Sequence, residues 1–296
     1  MYGGAKIRQI IGLCFSNRGN KQLLQFQTIK TTVAMQQQVK AKKSLGQHFL
    51  TDLAVAQRIA GTMSQHKALP LLEVGPGMGV LTKFLIAGGH DLKVVELDGE
   101  SVAYLHKYFP MLDGRIIADD FLRLDLNAIY GKNKFCIIGN YPYNISSQIF
   151  FKVLDYKDQV ECCSGMLQRE VAQRIAAPPG SKTYGILSVL LQAWYDIEYL
   201  FTVDENVFDP PPKVKSGVIR LTRNSTTSLG CDEALFKTVV KTAFGQRRKT
   251  LRNSLKPLLP SPPPEAASLL ALRPEQLGVE QFVELTGIVA ASRAQP

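Results

Sequence analysis

The sequence predicts an α/β fold, in which helices cover both faces of a parallel sheet and a small helical domain follows. Between residues 44 and 221, short apolar runs typical of buried strands alternate with segments of helical periodicity. Such alternation is typical of right-handed βαβ units, which build parallel sheets. Beyond residue 230 the periodicity is helical, with no strong strand. At 296 residues, 45% of them apolar, the chain is long enough for one large domain or two ordinary ones.

Each element follows from a local pattern. The first strand, at 69–75, is an apolar run ended by glycine, and the helix at 80–89 ends in a glycine pair. The same patterns then predict a strand at 92–98, a helix to about residue 108, strands at 114–120 and 134–140, a helix that continues into a strand over 186–203, and a last strand after the prolines of 210–221. The polar stretch 224–230 is typical of a linker.

These boundaries predict three parts: a basic extension at 1–34, an α/β domain at 35–224 and a helical domain at 225–296. The extension is basic and free of acidic residues. This composition fits an organellar presequence or a start codon assigned too early, with Met35 as the working start. Composition alone favours the early start.

The net charge of +10 is concentrated in two segments. Residues 1–43 hold eight basic residues and residues 234–264 hold seven, and neither segment has an acidic residue. Solvated helix faces normally carry both signs, so this pattern favours a surface that binds a nucleic acid.

The five cysteines form no CxxC pair, and the four histidines lack ligand spacing. We therefore expect no disulfide framework and no metal site, and a reducing compartment. No apolar run approaches the roughly 20 residues needed to span a bilayer, and no secretory signal is evident. The expected location is the cytoplasm, with no membrane association.

A glycine loop, EVGPGMG at residues 73–79, follows the first strand and opens a helix. Its spacing is GxGxG, whereas the dinucleotide fingerprint is GxGxxG. Pro76 also removes a backbone N–H that a phosphate cradle would use. The loop therefore suits a nucleoside without phosphates, such as S-adenosylmethionine, although tight strand–helix packing also explains such glycines.

Two acidic positions follow the next strands. Glu96 lies 21 residues after Gly75, the spacing at which an acid accepts hydrogen bonds from ribose hydroxyls. Asp98 is the weaker alternative for that role. Asp119 and Asp120 end the third strand and face the same crevice, where a carboxylate could accept from the adenine amino group of a cofactor. Adjacent carboxylates also suit a metal, but no further ligand clusters with them.

The sequence NYPY, residues 140–143, follows the strand at 134–140. The exocyclic amine of adenine is a poor nucleophile because its lone pair is delocalised into the ring. The Asn140 side chain and the backbone carbonyl beside Pro142 could accept its two N–H bonds and localise that pair toward a methyl donor. Tyr143 offers a face for the base, worth about 1–3 kcal/mol. In-line methyl transfer depends mainly on positioning and needs no strong base. The alternative interpretation of NYPY is a plain turn without a catalytic role.

These motifs occur in one order with four others: SLGQHFL (44–50), QRE (168–170), VFDPPPKVKSGVIRL (207–221) and FGQRRKTLRNSL (244–255). Together they resemble the small-subunit ribosomal RNA adenine dimethyltransferases, from about Lys42 to at least Leu259. The resemblance implies a Rossmann-like methyltransferase domain that uses S-adenosylmethionine. It also implies dimethylation of two adjacent adenosines near the 3′ end of small-subunit rRNA, in small-subunit biogenesis.

The resemblance implies a set of cofactor contacts at matching positions: His48, Leu50, Gly75, Gly77, Glu96, Asp120 and Asn140. It assigns Asn140, Pro142 and Tyr143 to catalysis and matches Phe208 to an aromatic that closes on the target adenine opposite Tyr143. Two positions depart from the family pattern. His48 replaces the usual asparagine, although imidazole can still form hydrogen bonds, and Tyr141 replaces an aliphatic residue.

The basic segment then has an expected role in RNA binding. Its cations are Arg247, Arg248, Lys249 and Arg252, which we expect on a helix held to the fold by Leu251 and Leu255. Phosphate contacts position RNA without reading sequence, so the shape of a pre-ribosomal particle would give specificity, and we expect a monomer. Two alternatives remain at this point: a DNA adenine methyltransferase, and a non-catalytic assembly or transcription factor that keeps the fold.

Overall fold

The computed structural model describes residues 39–42 and 45–294. Its strands are β1 (Phe49–Leu50), β2 (Leu71–Val74), β3 (Leu92–Glu96), β4 (Ile116–Ala118), β5 (Phe135–Asn140), β6 (Val160–Gln168), β7 (Tyr195–Val203), β8 (Phe208–Asp209) and β9 (Ser216–Arg223). Its helices are α1 (Leu53–Gly61), α2 (Thr82–Ala87), α3 (Gly99–Tyr108), α4 (Leu126–Tyr130), α5 (Ser146–Asp155), α6 (Arg169–Ala176), α7 (Ile186–Gln192), α8 (Glu233–Gly245), α9 (Leu251–Ser254), α10 (Ala267–Ala271) and α11 (Val279–Ala294). The predicted extension at 1–34 lies outside the described residues.

A seven-stranded sheet with the order β4-β3-β2-β5-β6-β9-β7 forms the centre of the fold. The pairs from β4 to β6 are parallel, as the sequence predicts, whereas β9 pairs antiparallel with both β6 and β7. The parallel sheet predicted from the strands at 69–75, 92–98, 114–120 and 134–140 is therefore confirmed, and the antiparallel pairing is confined to β9 and its neighbours. The described segment between β7 and β9, residues 204–215, contains no α-helix that could return the chain in the parallel sense.

The sequence patterns found six of the nine described strands and missed β6 and the two-residue strands β1 and β8. Seven of the nine residues of β6 are buried, but Glu161, Ser164 and Gly165 interrupt the apolar run that would have marked it. The helix-to-strand reading of 186–203 is confirmed by α7 and β7. Buried strands such as β2 and β5 were the easiest to find because they are nearly continuous apolar runs.

The parallel register places the ends of neighbouring strands side by side. Val74 of β2 pairs with Val95 of β3 and with Gly139 of β5. The next residues along the chain, Gly75, Glu96 and Asn140, therefore lie near one another at the same edge of the sheet. In open α/β sheets, ligands bind at this carboxyl edge.

The helices after residue 230 pack against the sheet layer through a shared hydrophobic core. Phe236 and Val240 of α8 belong to the same buried cluster as Leu72 of β2 and Trp194. The division at residues 224 and 225 stays a prediction. Within the described part of the chain, no helix combines the length and apolar character needed to cross a membrane.

Candidate active site

A cleft lies at the carboxyl ends of β2, β3 and β5. Its lining includes many of the predicted site residues: His48, Leu50, Gly75, Gly77, Glu96, Asp120, Asn140, Pro142 and Tyr143. Phe208 and the four basic residues from Arg247 to Arg252 are not part of this lining. The motifs that are far apart in sequence therefore meet here, apart from that aromatic residue and the basic segment.

The glycine loop after β2 forms one side of the cleft. Gly75 and Gly77 have φ angles of 67° and 56°, in the left-handed region that favours glycine. A Cβ atom on Gly77 would lie 2.9 Å from Cε1 of Phe49. Glycine therefore allows the loop to contact the segment that carries His48 and Leu50.

Glu96 is held rigidly at the end of β3. Its Oε2 accepts from the Gly77 N–H at 3.0 Å and its Oε1 from the Asp98 N–H at 2.9 Å. Burial raises the pKa of its carboxyl group. Carboxylate oxygens have further lone pairs, so the group can also accept from ribose hydroxyls in the cleft.

Asp98, the alternative acid, serves a different purpose. Its Oδ2 accepts from the Ser101 hydroxyl at 2.9 Å, and its Oδ1 forms an ion pair with Lys42. The residue is buried and is not part of the cleft lining. This arrangement favours Glu96 over Asp98 for the ribose role.

Glu73 is a further acid in the cleft, and the sequence suggested no separate role for it. It is 1% exposed, its Oε2 has no hydrogen-bond partner among the described residues, and burial raises its pKa to about 8. A cationic ligand in the cleft would favour the ionised form of this buried carboxyl group and could pair with it. S-adenosylmethionine carries an ammonium and a sulfonium group, so the residues present fit it.

The loop after β4 carries Asp119 and Asp120, and both line the cleft. Asp120 Oδ1 accepts from the Leu122 N–H at 2.9 Å, which fixes the carboxylate within its own turn. The buried Lys152 of α5 donates to the carbonyls of Leu122, at 3.2 Å, and Leu124. Sequence reasoning missed Lys152, because a lysine within a helix has the pattern of a surface residue.

Asn140 ends β5 with its side-chain amide oriented by the segment before β1. Its Nδ2 donates to the His48 carbonyl at 3.1 Å. The amide oxygen is thereby left to accept a hydrogen bond, which is what the amino group of a target adenine requires.

Tyr143 follows in the same turn, with its ring half-buried at the cleft. Its hydroxyl forms a hydrogen bond with Ser216 Oγ, and burial raises the pKa of the phenol. The His48 ring lies 5.5 Å from the Tyr143 ring, centroid to centroid, and tilted by 32°. His48 Nδ1 lies 2.8 Å from the Pro210 carbonyl, which only accepts, so this nitrogen carries the proton.

Phe208 is not one of the residues that line the cleft. It is 4% exposed, belongs to a buried apolar cluster and pairs with Leu50 in the β1–β8 ladder. Its predicted closure on a target base opposite Tyr143 stays a prediction.

Tyr141 occupies a site beneath the cleft, which explains how it can replace an aliphatic residue. The side chain is buried, and its hydroxyl donates to the Ser164 carbonyl at 2.8 Å. Two glycines make room for the ring: a Cβ atom on Gly139 would lie 2.8 Å from Cε1, and one on Gly165 would lie 2.5 Å from Cε2. Tyr141 is among the residues that line the cleft, but its side chain is buried and its hydroxyl is engaged within the protein.

The basic segment is not the continuous helix that the sequence predicts. α8 ends at Gly245 and α9 begins at Leu251, so Arg247, Arg248 and Lys249 lie in a turn. The turn is closed by a hydrogen bond from the Lys249 N–H to the Gln246 carbonyl at 2.8 Å. As expected, Leu251 and Leu255 are buried.

The four cations of this segment differ in their surroundings. Arg247 donates to the carbonyls of Ser181, at 3.4 Å, and Lys182, and is therefore engaged within the protein. Arg248, Lys249 and Arg252 are exposed.

Comparison with known proteins gives a consistent set of similarities. The model of the ribosomal RNA adenine dimethylase family matches residues 38–280. The chain is 72% identical over 249 residues to ribosomal RNA small subunit methyltransferase A of Parabacteroides distasonis, covering 84% of this chain and 93% of the relative. The corresponding protein of Flavobacterium johnsoniae is 56% identical over 259 residues, covering 88% and 99%.

Two solved structures are similar in fold. A dimethyladenosine transferase from Plasmodium falciparum superposes with a TM-score of 0.65 at 20% identity, covering 81% of this chain and 99% of that one. The 23S rRNA methyltransferase ErmE gives a TM-score of 0.59 at 25% identity, with the same coverage.

Proposed function

The chain belongs to the ribosomal RNA adenine dimethylase family, and on that basis we propose that it dimethylates two adjacent adenosines near the 3′ end of small-subunit rRNA. It is an S-adenosylmethionine-dependent methyltransferase, as its family is. The observation that carries the proposal is the orientation of Asn140. Its amide oxygen is left to accept, beside Tyr143 and at the same sheet edge as Glu96.

The cofactor would lie between the glycine loop and the segment before β1. Glu96 would accept from its ribose hydroxyls, Asp120 would face its adenine, and Glu73 would face its cationic part. Gly75 and Gly77 would let the backbone approach, with His48, Leu50 and Asn140 completing the contacts. When bound, S-adenosylmethionine supplies a methyl group on a sulfonium centre.

The acceptor adenine would be held by the turn after β5. Asn140 Oδ1 and the backbone carbonyl beside Pro142 accept its two N–H bonds and localise the amine lone pair. Tyr143 stacks on the base, and Phe208 would close from the other side. These residues would act by positioning the amine nitrogen, which would gain the methyl group as the S–C bond of the sulfonium breaks and would release one proton for each transfer. Target bases held between aromatic rings are usual for single-stranded RNA.

We propose that residues 225–296 bind the RNA, chiefly through Arg248, Lys249 and Arg252. Their exposure leaves their charges available to phosphates, which would position the RNA without reading its sequence. Arg247, also predicted, would support the turn through its bonds to residues 181 and 182. We propose that the substrate is a pre-ribosomal particle and that the enzyme acts as a cytoplasmic monomer in small-subunit biogenesis.

The experiment that tests the proposal maps methyl groups on small subunits that lack the modification, after incubation with purified protein and labelled S-adenosylmethionine. The expected result is two adjacent dimethylated adenosines near the 3′ end. Efficient methylation of naked duplex DNA instead would assign a DNA methyltransferase. Failure to bind the cofactor would assign a non-catalytic assembly factor.

The RNA surface has its own test. Charge reversal at Arg248 and Lys249 should weaken binding to small subunits and lower the slope of log affinity against log salt by about one per lost phosphate contact. Charge reversal at Lys107, an exposed lysine of α3, is the matched control. A salt slope unchanged from the wild type would exclude this surface.

A further inference from the structure

Ser216 is a buried hydroxyl that contacts the catalytic turn and has no assigned role. It has 0% exposure and is the first residue of β9. Its Oγ forms a hydrogen bond with the hydroxyl of Tyr143, 73 residues earlier in the chain. A fully buried polar group that bonds to the tip of an active-site ring is well placed to set the orientation of that ring.

The backbone holds Ser216 firmly in position. Its register partners are Gln168 of β6 on one side and Val203 of β7 on the other. The preceding residue, Lys215, accepts a hydrogen bond from the Arg169 N–H at 2.9 Å. The serine hydroxyl is therefore presented from an interior strand, not from a loop.

Tyr143 is thereby fixed at both ends. Its carbonyl accepts from the Ser146 hydroxyl at 3.2 Å, at the start of α5, and its own hydroxyl meets Ser216. Between these points the ring is half-buried and lines the cleft. The bond at the tip fixes the position of the hydroxyl and therefore the direction in which the ring extends from the backbone of the turn.

We propose that Ser216 is a positioning residue that holds the Tyr143 ring in place for stacking of the target adenine. The inference rests on the proposed function, in which Tyr143 is the stacking face. Ser216 acts through Tyr143. Its loss should therefore lower the rate of RNA methylation and leave the affinity for the cofactor unchanged. Removal of one such hydrogen bond should lower kcat/KM for the small subunit by about three- to tenfold.

The test is a double-mutant cycle in the full-length protein, with single-turnover methylation of small subunits and cofactor affinity measured for every variant. Ser216→Ala and Tyr143→Phe each remove the same hydrogen bond and keep the aromatic ring. Each should lower the rate by about three- to tenfold. The double variant should be no slower than Tyr143→Phe alone, because the interaction is already lost. Ser216→Thr, which keeps a hydroxyl, should recover most of the rate.

Several results would overturn the inference. Ser216→Ala with the full wild-type rate would do so, as would losses that multiply in the double variant, since a packing role would be independent of the Tyr143 hydroxyl. If Ser216→Ala fails to fold, Tyr143→Phe decides alone: a full rate overturns the inference. The wild type and Tyr143→Ala separate the possible failures. If the wild-type protein does not methylate small subunits, the proposed function fails. If Tyr143→Ala is fully active, the stacking role of Tyr143 fails, and the role of Ser216 fails with it. If Tyr143→Ala is inactive while Ser216→Ala is unaffected, only the role of Ser216 fails.

Discussion

The cofactor side and the acceptor side of the cleft are built in different ways. On the cofactor side, Glu96 bonds to Gly77 and Asp98, 19 and 2 residues away in the chain. On the acceptor side, the side chain of Tyr143 bonds to Ser216 and that of Asn140 bonds to the His48 carbonyl, across 73 and 92 residues. The geometry of the cofactor side therefore depends on residues at the ends of consecutive strands. The geometry of the acceptor side depends on contacts between segments that are far apart in the chain. Changes in distant segments should therefore affect the acceptor side first.

The largest expected effect is on the acceptor side, at Asn140. Asn140→Ala removes the oxygen that accepts from the amine, and we expect methyl transfer at saturating cofactor to fall by about 10²–10³, by analogy with loss of one preorganised hydrogen-bonding group. Single-turnover assays on unmodified small subunits measure this, with circular dichroism as the folding control. A folded variant with wild-type turnover would remove Asn140 from the chemistry.

On the cofactor side, Glu96→Ala should raise the dissociation constant for S-adenosylmethionine by about 10- to 100-fold, because it removes charged acceptors for the ribose hydroxyls. Titration calorimetry measures it. Asp98→Asn is the matched control, and its effect on affinity should be small because Asp98 is engaged with Ser101 and Lys42. Equal losses in both variants would break the distinction between the two acids.

The Tyr141 ring packs against Gly139 and Gly165, and an added Cβ atom would meet the closest contacts at Gly165. A Cβ atom there would lie 2.4 Å from the Gly139 carbonyl oxygen and 2.5 Å from the Tyr141 ring. Gly165→Ala should therefore lower the free energy of unfolding by about 1–3 kcal/mol, measured by urea denaturation. Gly61→Ala is the control, since no heavy atom lies within 4 Å of its added Cβ; equal stability of the two variants would contradict the packing described.

The smallest effect is a pH dependence from Glu73. Its pKa of about 8 in the folded state lies above the ordinary value of 4.5, so the folded state binds more protons between these values. Stability without cofactor should therefore fall as pH rises from about 5.5 to 7.5, with Glu73 contributing roughly 1–2 kcal/mol.

Unfolding of the wild type and of Glu73→Gln at both pH values isolates this contribution. Glutamine cannot ionise, so the variant should lose less stability over the same range. An identical decline in both proteins would mean that Glu73 is already ionised in the folded state at pH 5.5.

The sequence predicted the cofactor side better than the acceptor side for a physical reason. Gly75, Glu96 and Asp120 each follow an apolar run, so the position of each residue in the sheet could be inferred from the strand before it. On the acceptor side, the partner of Tyr143 is Ser216, which lies in β9, and its position depends on β9 entering the sheet antiparallel. The interrupted pattern of β6 hid the strand that β9 pairs with.

Two further differences have the same origin. Lys152 was missed because only the folded chain brings α5 to the loop of Asp120. The basic segment was predicted as one helix because its periodicity is helical, but the chain turns between Gly245 and Leu251. Spacing along the chain predicted which residues cluster, and long-range packing decided how each of them is oriented.

The most direct test of this separation measures cofactor affinity and methyl transfer side by side in Tyr143→Ala. We expect the single-turnover rate on small subunits to fall about 10- to 100-fold, the value of one lost stacking interaction, with the dissociation constant for S-adenosylmethionine within about twofold of the wild type. An unchanged rate, or a loss fully explained by weaker cofactor binding, would contradict the assignment of Tyr143 to the target base.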